Sequence, residues 1–161
     1  MGQHTFNAGI EWTGNTGTGT SGFRAYERRY EITADGKPNI PGSSDPAFRG
    51  DPTRYNPEDL LVASLSACHM LWYLGLCAKA GVVVVEYLDR AEGEMALEAN
   101  GSGRFTRVML RPRVELAPGS DLDRARAIHH EAGMMCFIAN SVNFEVCHDP
   151  TVVFAATTPA T

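Results

Sequence analysis

The sequence predicts an α+β fold in which an antiparallel sheet packs on one long central helix. Two stretches, residues 90–98 and 106–116, alternate polar and apolar side chains, the pattern of strands with one wet face. A long run after Asn56 carries helix start and stop signals at its two ends. The order of elements is strands, long helix, strands, second helix, last strand, which sets helices against one face of a sheet. The 161 residues suffice for one domain with a core, expected over 1–155, with 156–161 as a disordered Ala/Thr/Pro tail.

Taken in chain order, His4 to Thr13 reads as a first strand, followed by a glycine-rich stretch to Gly22. Gly17, Gly19 and Gly22 spell G-x-G-x-x-G, which would have to open a helix to hold a dinucleotide. Phe23 to Thr33 instead alternates Tyr26, Tyr30 and Ile32 against Glu27, Arg29 and Glu31, so a strand is expected and the glycines read as a hairpin loop. Residues 36–55, with Pro38, Pro41, Pro46 and Pro52, read as loop. Asn56 can cap a helix, Pro57 suits its first position, and Glu58 and Asp59 favour its positive end. That helix should run to about Ala80 and stop at Gly81.

Val82 to Tyr87 is β-branched and apolar, hence strand. In the two alternating stretches Ala91, Met95 and Leu97, then Val108, Leu110, Val114 and Leu116, should face inward. Ser120 and Asp123 are expected to cap a second helix with Leu122, Ala125, Ile128, Ala132 and Met135 on one side. A short helical turn after Cys136 and a last strand near 143–154 complete the chain.

The formal charge of −5, with arginines scattered among acids, lacks the basic footprint of a nucleic-acid binder. The first residues show no charged-then-apolar leader, and four cysteines are few for a secreted disulfide scaffold. A cytoplasmic location is therefore the expectation. Leu60 to Ala78 carries no formal charge outside His69 and is long enough for a membrane span. Ser64, Ser66 and His69 within it, and the amphipathic strands around it, favour a soluble core helix with a second subunit covering its remaining side.

Cys68, Cys77, Cys136 and Cys147 could each be a small buried hydrophobe, and Cys77 and Cys147 are read so. Cys68 and Cys77 lie about 13.5 Å apart along one helix, too far for a disulfide. Cys68-His69, His129-His130, Cys136 and Cys147-His148 invite a metal, but no C-x-x-C or H-x-x-x-H spacing puts two ligands on one face, so no metal is expected.

Asn56-Pro57-Glu58-Asp59-Leu60-Leu61, followed by Ser64-Leu65-Ser66-Ala67-Cys68, resembles the N-P-E-[EQD]-L…A-C signature of the OsmC/Ohr family. Cys136-Phe137-Ile138-Ala139-Asn140-Ser141 is similar to that family's segment around its second cysteine, with Phe137 in place of the usual proline. The element order fits as well. The resemblance implies an OsmC-like fold, an intertwined homodimer, and a thiol-dependent peroxidase acting on organic hydroperoxides without a cofactor.

In that scheme Cys68 attacks the O–O bond as a thiolate and becomes a sulfenic acid. Cys136 condenses with it to a disulfide, and an external dithiol such as a dihydrolipoyl group restores both thiols. Glu58 and an arginine would support Cys68. Glu58 stands about 15 Å along the helix from Cys68, so it would come from the partner subunit. Arg49, just before the N-P-E segment, is the chosen arginine, with Arg54 and Arg28 behind it. The competing expectation is a non-catalytic OsmC-like domain binding a small apolar ligand at the dimer cleft. Cys68 and Cys136 within disulfide reach would favour the enzyme.

Overall fold

The computed structural model describes residues 2–156. Of the expected tail, residues 157–161 lie outside the described residues. The chain forms two compact units, Met1–Leu60 and Leu61–Thr161.

In the first unit, β1 (Gly9–Trp12), β2 (Tyr30–Thr33) and β3 (Ile40–Gly42) pair antiparallel in that order. β1 is shorter than the stretch expected from His4. Of the strand expected from Phe23, only the part from Tyr30 onward joins the sheet, with one isolated bridge between Tyr26 and Asn15. The reason is local: the guanidinium of Arg28 donates to the carbonyls of Phe23 (2.8 Å) and Tyr26 (2.7 Å), folding 23–28 back on itself. The Asn15 side-chain oxygen accepts from the N–H groups of Gly17 and Gly19, so the glycine run is a side-chain-held turn with no helix behind it.

β3 falls inside the stretch expected to be loop. Pro41 sits in this third strand, at the edge of the sheet, where a missing N–H costs little. A 3-10 turn, Pro46–Phe48, follows, capped by Asp45 and ended by Arg49 at φ +67°. Among the described residues, no apolar side chain of this unit belongs to the buried core, whereas Phe6, Ile10, Phe23 and Tyr55 are exposed.

Helix α1 spans Pro57–Lys79. Asn56 Oδ1 accepts from the Asp59 N–H at 2.7 Å, and Asp59 Oδ2 accepts from the Asn56 N–H at 3.3 Å, a reciprocal cap. At the other end the N–H groups of Val82 and Gly81 reach the carbonyls of Cys77 and Ala78, with Gly81 at φ +72°, the left-handed stop expected of glycine.

The second unit continues with β4 (Val84–Asp89), β5 (Glu92–Leu97), β6 (Gly103–Leu110), β7 (Pro112–Leu116), α2 (Leu122–Met135), β8 (Glu145–His148) and β9 (Thr151–Phe154). Residues 106–116 are not one strand. The Arg111 N–H donates to Asp89 Oδ1 and Pro112 begins anew, so the chain steps from one sheet into another. Likewise Asp149-Pro150 divides the expected last strand into β8 and β9. β4 pairs with β7 and β5 with β6, both antiparallel, whereas β9 and β8 add a parallel partner to each, a departure from the purely antiparallel sheet expected. The fold is α+β.

Val108, Leu110, Val114 and Leu116 are buried as their alternation requires, but Met95 and Leu97 of β5 are exposed. α2 is capped by Asp121, which accepts from the Arg124 N–H, rather than by Ser120, whose hydroxyl takes the Val83 N–H. Tyr73, Cys77, Val114, Leu116, Ile128 and Ala132 centre one core, and Leu65, Val108 and Leu110 a second. The apolar run of α1 is long enough to cross a membrane, yet only 22% of that window is buried within the single chain.

Candidate functional site

Cys68 lies midway along α1, half-buried, one turn from the buried Leu65. Cys136 follows the last residue of α2. There the backbone leaves helical geometry (φ −66°, ψ 112°) and enters the 3-10 turn Ala139–Ser141. That exit turns the Cys136 side chain inward, to 1% exposure, and aims the Ala139 N–H at its sulfur, 3.4 Å away. The two thiols, both reduced, are neighbours close enough for Cys68 to perturb Cys136. Burial, and then the contact with Cys68, pushes the Cys136 thiol up to about 11, against the pull of the Ala139 and Ile138 N–H groups.

Cys68 borders a cavity of about 500 Å³ walled by Ala67, Leu71, Trp72, Phe137 and Ile138. The Trp72 and Phe137 rings meet edge to face, centroids 5.4 Å apart at 80°. Phe137, exposed where the family pattern has proline, thus forms one jaw of the pocket.

Cys136 borders a different cavity, about 230 Å³, whose walls include His69, His148 and Gly133, with His130 and Met134 at its exposed rim. Behind it His69 Nε2 lies 3.1 Å from His129 Nδ1, and the Tyr73 ring stacks on His129 at 3.9 Å. Burial, then the field of neighbouring imidazoles, holds His69 down to about 4 and His129 to about 3. Burial also lowers His148. This imidazole cluster has no spacing signature. Its readable traces are the Cys68-His69, His129-His130 and Cys147-His148 pairs noted in the sequence, and the place of His129 on the buried stripe of Ala125, Ile128 and Ala132. Among the described residues no group of three His, Cys, Asp or Glu side chains could hold a metal ion.

The remaining candidates belong to the first unit. Glu58 is half-buried near Tyr30, and its charge adds to burial in raising that phenol. Arg54 is engaged by Glu31 (3.1 Å) and the Tyr30 carbonyl. Arg28 is held by the carbonyls of Phe23 and Tyr26 and stacks over both rings. Among the described residues Arg49 alone of the three has no ion pair or side-chain hydrogen bond. Cys77 is core filling, and Cys147 sits half-buried on β8.

Fold and site together define an α+β protein with two neighbouring cysteines, each bordering one of two dissimilar cavities. The OsmC-like protein family model matches residues 50–149, and the chain belongs to that family. An OsmC-like protein of unknown function from Vibrio cholerae is 32% identical, over 94% of this chain and 100% of that one, with a TM-score of 0.81. Organic hydroperoxide resistance proteins from Elizabethkingia anophelis and Legionella pneumophila share the fold. They are 18% and 17% identical over 95% and 94% of this chain (99% and 98% of theirs), with TM-scores of 0.65 and 0.66. No curated protein matches the chain.

Proposed function

We propose that this protein is a dimeric thiol peroxidase that reduces organic hydroperoxides to alcohols. The observation that carries the reading is the pairing of two reduced, neighbouring thiols, one of which lines an apolar pocket. Cys68, the more exposed sulfur, attacks the O–O bond as a thiolate; the alcohol departs and Cys68 is left as a sulfenic acid. Cys136 condenses with it, releasing water and forming the Cys68–Cys136 disulfide. Two electrons from an external dithiol then restore both thiols. The apolar walls suit an organic hydroperoxide better than hydrogen peroxide.

Arg49 is the guanidinium assigned to stabilise the Cys68 thiolate and hold the peroxide oxygens, with Glu58 orienting it. Glu58 stands about 15 Å along α1 from Cys68, which favours its supply from a partner subunit, and the exposed apolar surface of the first unit and of α1 supports a homodimer that covers it. A cytoplasmic setting, where dithiol reductants are at hand, completes the proposal.

The test is turnover of cumene hydroperoxide with dihydrolipoamide in the parent, Cys68→Ser and Cys136→Ser proteins. Cys68→Ser should abolish turnover; unchanged turnover in that variant sinks the reading. The 500 Å³ apolar pocket also favours a second reading, a non-catalytic domain binding a small apolar ligand, which an inert parent protein would support.

A further inference from the structure

The two sulfurs face different spaces. Cys68 borders the apolar pocket and not the imidazole-walled cavity; Cys136 borders the cavity and not the pocket. We infer that the two half-reactions use separate doors, the hydroperoxide reaching Cys68 from the apolar side and the reducing thiol attacking Cys136 through the cavity beside His69 and His148. The inference rests on the peroxidase reading and adds to it the route and the point of attack of the reductant.

Three observations carry it. The first is polarity. The pocket walled with Leu71, Trp72, Phe137 and Ile138 suits the organic group of a hydroperoxide and holds no imidazole to hydrogen-bond an arriving thiol. The cavity offers imidazoles instead, and its rim residues His130 and Met134 are exposed while its floor, with Leu65, Leu110 and Cys136, is buried.

The second is the leaving group. Exchange breaks the S–S bond with one protein sulfur departing as thiolate, and departure is easier for the sulfur better able to carry charge. Cys136 is the buried partner whose thiolate is disfavoured, whereas Cys68 is half-exposed. Attack on Cys136, expelling Cys68, is the easier direction.

The third is size. About 230 Å³ admits a thiol on a slender alkyl arm but not one fixed to the face of a globular protein. A dithiol on a flexible chain, the class of reductant already implied by the family resemblance, meets that limit. Its first sulfur bonds to Cys136 as the Cys68 thiolate leaves. Its second sulfur then attacks the first, closing the reductant's own disulfide and releasing Cys136, which takes up a proton. Two electrons pass from the dithiol to the protein.

Gly133 supplies a probe. A Cβ at this position would sit 3.6 Å from the nearest His148 ring atom, in ordinary contact, so Gly133→Ala narrows the cavity without a clash and favours the helix. The protein disulfide is first made with diamide, so the test does not depend on hydroperoxide being the substrate. The oxidised parent is then exposed to 2-mercaptoethanol, quenched rapidly in acid and mapped by mass spectrometry. The adduct is expected on Cys136; an adduct on Cys68 overturns the inference.

In parallel, reduction by dihydrolipoamide is timed by stopped flow. Gly133→Ala and Met134→Trp should each slow it at least fivefold, and rates within twofold of the parent in both variants overturn the inference as well. If hydroperoxide fails to oxidise Cys68 in the parent, the peroxidase reading falls on that separate measurement.

Discussion

His69 Nε2 and His129 Nδ1 share one hydrogen bond of 3.1 Å between two nearly parallel, buried rings, one on each helix. Such a pair is neutral in the folded protein. His69 titrates near 4 and His129 near 3, against an ordinary value of 6.5, so the unfolded chain takes up protons first. Stability from these groups is therefore fully present above about pH 6.5 and drains away as the pH falls toward 4. Thermal melts between pH 7.5 and 4.5 should show a falling Tm, and His129→Phe should flatten the slope. An unchanged slope in that variant would assign the acid sensitivity elsewhere.

Removing Cys136 should leave Cys68 able to react once but unable to store the oxidation safely. With excess hydroperoxide, Cys136→Ser is expected to accumulate sulfinic and sulfonic acid at Cys68, read directly as added oxygen by mass spectrometry. A variant that stayed unmodified would remove the protective role assigned to the second thiol.

The edge-to-face contact of Trp72 with Phe137 should set substrate preference. Losing such a pair costs about 0.5–1.5 kcal/mol beyond the buried area. Phe137→Ala is thus expected to lower kcat/KM for cumene hydroperoxide about tenfold, with little change for hydrogen peroxide. An equal loss for both peroxides would point to damage at Cys68 rather than to the pocket wall.

Arg49 holds φ +67°, a region that costs a residue with a Cβ about 1–2 kcal/mol. Glycine removes that strain. Arg49→Gly should therefore melt at or above the parent temperature while losing at least a hundredfold in hydroperoxide kcat/KM. If both properties hold at parent levels, the arginine has no part in the chemistry.

The reciprocal cap of α1 makes a plain stability prediction. Asn56→Ala removes one buried partner and should cost about 1 kcal/mol, a drop of about 2–4 °C in Tm for a chain of this size.

That cap was legible from the start, because Asn56-Pro57-Glu58-Asp59 is a local signal, and so was the stop at Gly81. The buried alternation of Val108, Leu110, Val114 and Leu116 was legible for the same reason. What escaped was set by contacts distant in sequence. Nothing near Arg111 announces that Asp89 will claim its N–H and split a strand, and nothing in residues 23–29 says that Arg28 will curl them onto its own guanidinium. At the site, the motif residues Cys68 and Cys136 were named from the resemblance, and the structure places them as neighbours. The imidazole cluster joins residues 60 apart at its closest pair, beyond the reach of any periodicity.

The pairing of the two thiols has a mechanical side too. Cys68 and Cys136 are far apart in sequence, and a bond between them would enclose most of the second unit in one covalent ring. On chain-entropy grounds such a ring stabilises the folded state by about 4 kcal/mol. Each turnover would then tighten the fold when an oxidant is consumed and relax it when a reductant arrives. The melting temperature itself becomes a gauge of the redox poise around the protein.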